Sequence, residues 1–161
     1  PARPRRAQPL HPHAPELSRA YLEATACGAL TILKRIEEYG VAIDEVVNTG
    51  GLAVKNATLM QIYADILGRP LKVAASDQTC ALGAALFGAA ASGQISLRDA
   101  QTNCAKVRDV VYHPIPEHQA VYEELYALYR TLHDAFGISS GWEGKLDGVM
   151  KQLIAIRERQ R

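Results

Sequence analysis

Two places in this 161-residue chain gather residue types suited to holding a phosphorylated ligand. The first is Asn48-Thr49-Gly50-Gly51, which follows the β-type run Glu45-Val46-Val47 and precedes a helix-like segment opening near Asn56. Two glycines between a strand end and a helix start let main chain approach a phosphate or a nucleotide ring, because no Cβ intervenes. The second is Ala74-Ala75-Ser76-Asp77-Gln78-Thr79, running into Cys80-Ala81-Leu82-Gly83-Ala84-Ala85. It follows the first at a spacing consistent with repeated βα units. Two such junctions in succession predict a ligand crevice at the carboxyl ends of adjacent strands. Neither is a Walker A loop or a dinucleotide fingerprint, since Gly-x-x-x-x-Gly-Lys-Ser/Thr and Gly-x-Gly-x-x-Gly are both absent.

Each of these residues also has a plain structural reading. Gly50-Gly51 on its own makes a tight turn as readily as a ligand cradle. Asn56 is an N-cap that accepts from free first-turn amides, with a second role toward a ligand left open. Lys55 reads more readily as a solvated loop lysine than as a phosphate ligand. Asp77 is expected to cap the following helix rather than to bind metal. Gly83 serves helix packing and ligand approach alike. His11, His13, His113, His118 and His133 show no metal-ligand spacing. Cys27, Cys80 and Cys104 are odd in number and widely spaced, so they read as small core fillers in a reducing compartment.

The elements that must position these junctions follow from periodicity and punctuation. A helix is expected from Glu16 to Tyr39, with Leu17, Tyr21, Ala24, Gly28, Ile32 and Ile36 on one stripe and Gly40 as its stop. Its unusually small middle, Ala24 to Ala29, lets another backbone come close. Val41 to Asn48 is β-like. The helix after Asn56 carries Leu59, Ile62, Tyr63 and Ile66, with Met60 and Leu67 on another side, which implies burial. Gly68 ends it, and Leu71 to Ala74 is a short strand. Thr79 to Ala91 holds no charge and is expected to be interior. Ser96-Leu97-Arg98-Asp99 resembles a capping box that opens a short helix. Val107 to Tyr112 is a strand or extended arm, which His113-Pro114 and Pro116 terminate. Glu117 to Phe136 is a helix with Val121, Leu125, Leu128, Leu132 and Phe136 on one stripe, closed by Gly137. Tyr122, Tyr126 and Tyr129 fall close by and read as core or edge packing rather than a stacking platform for bases. After the Gly141-Trp142-Glu143-Gly144 loop comes an amphipathic helix with Leu146, Val149, Met150, Leu153 and Ile156.

Length and composition suit one globular domain, expected over residues 16–161. Residues 1–15 form a Pro/Arg/His-rich leader, expected to be disordered or foreign to the domain. The net charge of +1 gives no electrostatic argument for nucleic acid or a membrane as partner, and Arg3, Arg5 and Arg6 read as part of a solvated tail. The leader lacks the apolar core of a signal peptide. The apolar run Cys80 to Ala91 is too short to span a bilayer. A cytoplasmic location is therefore expected.

The run from Thr49-Gly50-Gly51-Leu52 through Asp65-Ile66-Leu67-Gly68-Arg69-Pro70 resembles the C-terminal domain of the FGGY carbohydrate kinases, and is most like their ribulokinase branch. Ala75-Ser76-Asp77-Gln78-Thr79 with Ala81-Leu82-Gly83-Ala84-Ala85 is similar to that branch's second nucleotide motif. Val107 to Tyr112 with Pro114, Ala120-Val121-Tyr122 through Leu132-His133-Asp134, and Ile154-Ala155-Ile156-Arg157 are similar to its closing segments. Order and spacing carry the match, which covers roughly residues 16 to 157. The resemblance implies an α/β fold, a partial ribonuclease-H-like lobe of the actin/hexokinase-type ATPase fold, helix-rich with a short sheet. It implies transfer of the γ-phosphate of ATP to a sugar hydroxyl with Mg2+, ATP and a small sugar being the partners. It places Gly50, Gly51, Lys55, Asn56, Gly83 and Ala84 toward the nucleotide. Cys80 stands where the family usually has proline. By the resemblance, the catalytic aspartate and most sugar contacts belong to an N-terminal lobe, so no catalytic residue is assigned here and the separate polypeptide is expected to be inactive. Xylulose, glycerol or another polyol is the alternative substrate. A non-catalytic interaction module built on Tyr122, Tyr126 and Tyr129 is the alternative of another class, and an incomplete domain is expected to self-associate through exposed apolar surface.

Overall fold

The computed structural model describes residues 14–137 and 142–160. The leader up to His13 and Gly141 of the last loop lie outside the described residues.

The helix that follows Asn56 is the hub. It runs from Ala57 to Leu67 (α3; a short helix α2, Gly51–Lys55, precedes it). Asn56 caps it, its Oδ1 accepting from Leu59 N at 2.9 Å. Gly68 ends it in the left-handed conformation (φ 65°), its N–H donating to Ala64 O at 3.0 Å. The left-handed backbone is what calls for glycine at Gly68, since the close neighbour of an added side chain is the movable end of the Gln119 amide. Met60, Ile62, Ala64, Ile66 and Leu67 are all buried, as the two-faced apolar pattern predicts.

Around the hub stand helix α1 (Ala14–Glu38), a three-stranded sheet, and helix α6 (Pro116–Gly137). The small middle of α1 does let α3 come close, through Ala26 and Cys27 together with Leu30. The expected stripe of α1 is out of phase, however. Leu17, Tyr21, Ala24, Ile32 and Ile36 are exposed, and the inward set is Leu22, Ala26, Cys27, Leu30 and Leu33. Apolar residues occupy two phases of this helix, and the neighbours chose the one with the smaller side chains. On α6 the tyrosine row faces inward. Tyr122 and Tyr126 are buried, while the Leu125–Leu128–Leu132 side packs on helix α7 (Val149–Arg159). Phe136, predicted to share that stripe, is exposed.

In the sheet, strand β1 (Val46–Asn48) runs parallel to β2 (Leu71–Ala74), with Val46 opposite Leu71 and Asn48 opposite Val73. Strand β3 (Val107–Tyr112) is antiparallel to β2, with Leu71 opposite Tyr112 and an irregularity between Lys72 and Ala74. Only three residues of the β-like Val41–Asn48 run pair in the ladder. Leu71 and Val73 point to the core and Lys72 and Ala74 away from it, the period of a half-covered sheet.

Helices α4 (Thr79–Ala91) and α5 (Leu97–Cys104) form a hairpin between β2 and β3. Ser96 caps α5 as expected, accepting from Asp99 N at 3.1 Å. The expectation that α4 is interior fails. None of its residues is buried, and Phe87 is 64% exposed. Absence of charge shows what a helix is able to bury, and the cover must still come from elsewhere. Cys80 and Cys104 are exposed for the same reason, and of the three cysteines Cys27 alone is a core filler.

Candidate functional site

Because β1 and β2 are adjacent and parallel, their carboxyl ends, Asn48 and Ala74, lie side by side. Both small-residue junctions therefore leave the same edge of the sheet. This is the placement at which open α/β sheets form ligand crevices.

Gly50 has φ 92° and ψ 170°, a region open almost only to glycine. Its carbonyl accepts from Val54 N at 3.3 Å, so the chain turns straight into α2. The sequence reading placed the helix start near Asn56, and α2 is the element it missed. Five residues give too little periodicity to see. An added Cβ at Gly50, Gly51 or Gly83 would meet nothing within 4 Å, so the main chain there borders open space. Ala53 is the buried foot of α2, which packs on β2 and α3. Lys55 is exposed at the last turn of α2, and Asn56 both ends that helix and caps the next. The Oδ1 of Asn56 is thus committed to the cap, and its Nδ2 is the group left to face a ligand.

The second junction is held differently. Ala75 N–H donates to Lys106 O at 2.9 Å, and Gln78 N–H donates to Ser76 Oγ at 3.1 Å. Asp77 was expected to cap α4. The N-cap position is instead Gln78, with no side-chain cap, and Asp77 Oδ1 accepts from Arg108 Nη2 at 2.9 Å. Gly83 is half-buried and Ala84 exposed, in the second turn of α4.

The groups with displaced titration lie away from this edge, on α1 and α6. Burial pushes the Tyr122 hydroxyl up to about 12. That hydroxyl donates to Glu23 Oε1 at 2.9 Å and accepts from Arg19 Nη2 at 3.0 Å. Burial likewise raises the Cys27 thiol to about 11. Tyr122 and Tyr126 are packed inside the chain with Tyr129 partly buried beside them, so the row serves packing rather than a docking face.

One buried carboxylate escaped the sequence reading. Asp65, 2% exposed, accepts from Ile115 N and Gln61 Nε2 through Oδ1, both at 2.8 Å, and pairs with His118 Nδ1 through Oδ2 at 2.9 Å. It pins the corner between β3 and α6 to the hub, a structural task. An acid in the middle of an otherwise apolar face was the only available signal.

Two cavities of about 650 Å³ lie elsewhere. One sits at the amino ends of β1 and β2, beside Asp44, Gly68 and Pro70. Four of its five charged residues form the pairs Arg69–Glu37 and Lys72–Glu45. The other lies between α6 and α7, beside Leu128 and Ile156. Among the described residues, no group of three or more His, Cys, Asp or Glu is arranged to hold a metal ion. No helix among them is long and apolar enough to cross a membrane.

Residues 4–92 match the family model described as the FGGY family of carbohydrate kinases, C-terminal domain. The chain is 47% identical over 151 residues to a ribulokinase from Geobacillus thermodenitrificans, covering 91% of this chain and 26% of that protein. It is 42% identical over 142 residues to a ribulokinase from Mycolicibacterium smegmatis, covering 86% of this chain and 23% of that protein. It thus spans about a quarter of the length of the curated relatives it matches. Among solved structures, a xylulose kinase from Rhodospirillum rubrum aligns with TM-score 0.61 and 31% identity, covering 81% of this chain and 27% of that one. A xylulose kinase from Lactobacillus acidophilus aligns with TM-score 0.66 and 25% identity, covering 79% and 26%.

Proposed function

Starting from the premise that this chain belongs to the FGGY family of carbohydrate kinases, as a C-terminal domain, we propose that it is the adenosine-binding lobe of a ribulokinase-type enzyme. The reaction is transfer of the γ-phosphate of ATP to a hydroxyl of ribulose in the cytoplasm. Ribulose is preferred over xylulose because identity to ribulokinases reaches 47% over most of the chain, against 31% and 25% for the two solved xylulose kinases.

The observation that carries the reading is the bare main chain of Gly50 and Gly51, open to solvent at the carboxyl end of the parallel pair. Phosphoryl transfer depends on positioning and charge stabilisation, which amide groups at such a turn supply. In this role Gly50 and Gly51 admit the nucleotide, Lys55 and the Asn56 amide approach its adenine side, and Gly83 and Ala84 form the second wall. Mg2+ would neutralise phosphate charge when bound, but the side chains of this edge do not make a ligand set for it, and Asp77 is engaged by Arg108. No step is therefore assigned to the metal here. The base that takes the sugar proton and the sugar contacts are proposed to lie outside residues 16–157, as the family resemblance implies.

Gly51 offers a clean test. A side chain there has room in the unliganded fold, so Gly51→Val leaves the domain intact while filling the space the nucleotide needs. Titration of the purified chain with a fluorescent ATP analogue should show binding to the parent, and affinity at least about tenfold weaker in the variant, the loss expected when ~1.4 kcal/mol of contact is blocked. Equal affinity in the two would refute the assignment.

A further inference from the structure

We infer that Arg108 is a positioning residue for the crevice: its ion pair with Asp77 clasps the turn between β2 and α4 to β3, and so fixes where the wall bearing Gly83 and Ala84 stands. The inference rests on the nucleotide-binding reading above. Its starting point is how little core holds the α4–α5 hairpin. Helix α4 buries no residue, α5 buries only Ala100, and the principal neighbour of each is the other. A helix pair so weakly seated takes its orientation from its stem.

Beyond the Ala74–Val107 pair that ends the β2–β3 ladder, that stem is closed at two points. The main-chain bond from Ala75 N to Lys106 O joins the segment entering the hairpin to the segment leaving it. Two residues further along on each side, Asp77 Oδ1 meets Arg108 Nη2 at 2.9 Å. The β2–β3 ladder ends at Ala74–Val107 and this bond follows it directly, so the chain from Ser76 to the start of α4 is left free to twist. A second contact across the same stem removes that freedom, and Asp77–Arg108 supplies it. The ion pair also accounts for Asp77 turning away from the helix start it was expected to cap.

Both side chains are partly exposed, at 64% for Asp77 and 40% for Arg108, so the clasp is worth what exposed pairs are worth. That is about 1.5- to fivefold in an equilibrium, and salt should erode it.

The experiment uses the full chain and three variants, Arg108→Gln, Arg108→Lys and the charge exchange Asp77→Arg with Arg108→Asp. Amide hydrogen exchange is read over residues 79–104 without nucleotide, and affinity is read with the fluorescent ATP analogue. Arg108→Gln should speed exchange across the hairpin, leave α3 unchanged, and weaken the analogue about two- to fivefold. Arg108→Lys and the exchanged pair should behave like the parent, and the affinity gap should close near about 1 M salt. Unchanged hairpin exchange in Arg108→Gln, or an exchanged pair that behaves like Arg108→Gln, overturns the clasp. Failure of the parent to bind the analogue at all would count against the nucleotide-binding reading alone, because the exchange data still decide the clasp.

Discussion

Helix α3 follows β1 by way of the short α2, and α4 follows β2, the chain in both cases leaving the same edge of the sheet through a small-residue junction. Their settings are otherwise opposite. Helix α3 is capped at both ends, touches α1, α6 and the sheet, and buries a methionine, two isoleucines and a carboxylate. Helix α4 has no charge, no side-chain cap and no buried residue. One side of the proposed crevice is therefore backed by the core, and the other hangs from a stem. Apolar composition was similar in both helices. What separates them is whether the chain supplies a partner for the apolar face.

That contrast breaks first if the hub tolerates damage. Met60 is fully buried against Asn48 Nδ2 and the α1 face, so Met60→Ala should cost about 2–5 kcal/mol in chemical denaturation. A loss below about 1 kcal/mol would mean that α3 is not the centre of stability.

Titration sharpens the same side of the comparison. Cys27 and Tyr122 both have folded values raised above their unfolded ones, from 9.0 to about 11 and from 10.0 to about 12. For a group raised on folding, stability is fully present below the unfolded value and is lost as pH rises through the folded one. The unfolding free energy should therefore hold to about pH 9, then decline through Cys27 to about pH 11 and through Tyr122 to about pH 12. Each group accounts for at most about 3 kcal/mol. Cys27→Ala should remove the early part of the decline, measured as the denaturation midpoint against pH. A midpoint that stays level from pH 9 to 11 in the parent would argue that the α1 face is open to water.

The smallest effect belongs to α4. Phe87→Ser should change stability by no more than about 0.5 kcal/mol, since the ring is already in solvent. A cost of about 2 kcal/mol or more would show that α4 is seated on something within the chain.

Local chemistry made much of this legible from residues alone. Gly40, Asn56, Gly68 and Ser96 mark helix ends because capping is decided within a turn. The strands at Leu71–Ala74 and Val107–Tyr112 were legible because Gly68, Pro70, Pro114 and Pro116 bracket them. The edge shared by both junctions followed from the βα order. What failed depended on distant partners. The inward phase of α1 was set by Met60, Tyr122 and Tyr126, and nothing in the α1 sequence ranks its two apolar stripes. The exposure of α4 reflects the absence of a covering surface. Asp77 went to Arg108, thirty-one residues away, and no local pattern foretells such a pair.

The central claim concerns which end of the parallel pair receives the nucleotide. Backbone amide shifts of the chain, followed by NMR during titration with a non-hydrolysable ATP analogue, address it directly. Displacements concentrated at Gly50, Gly51, Gly83 and Ala84 are the predicted result. Displacements confined to Asp44, Gly68 and Lys72 at the opposite end, or to the groove between α6 and α7, would contradict it.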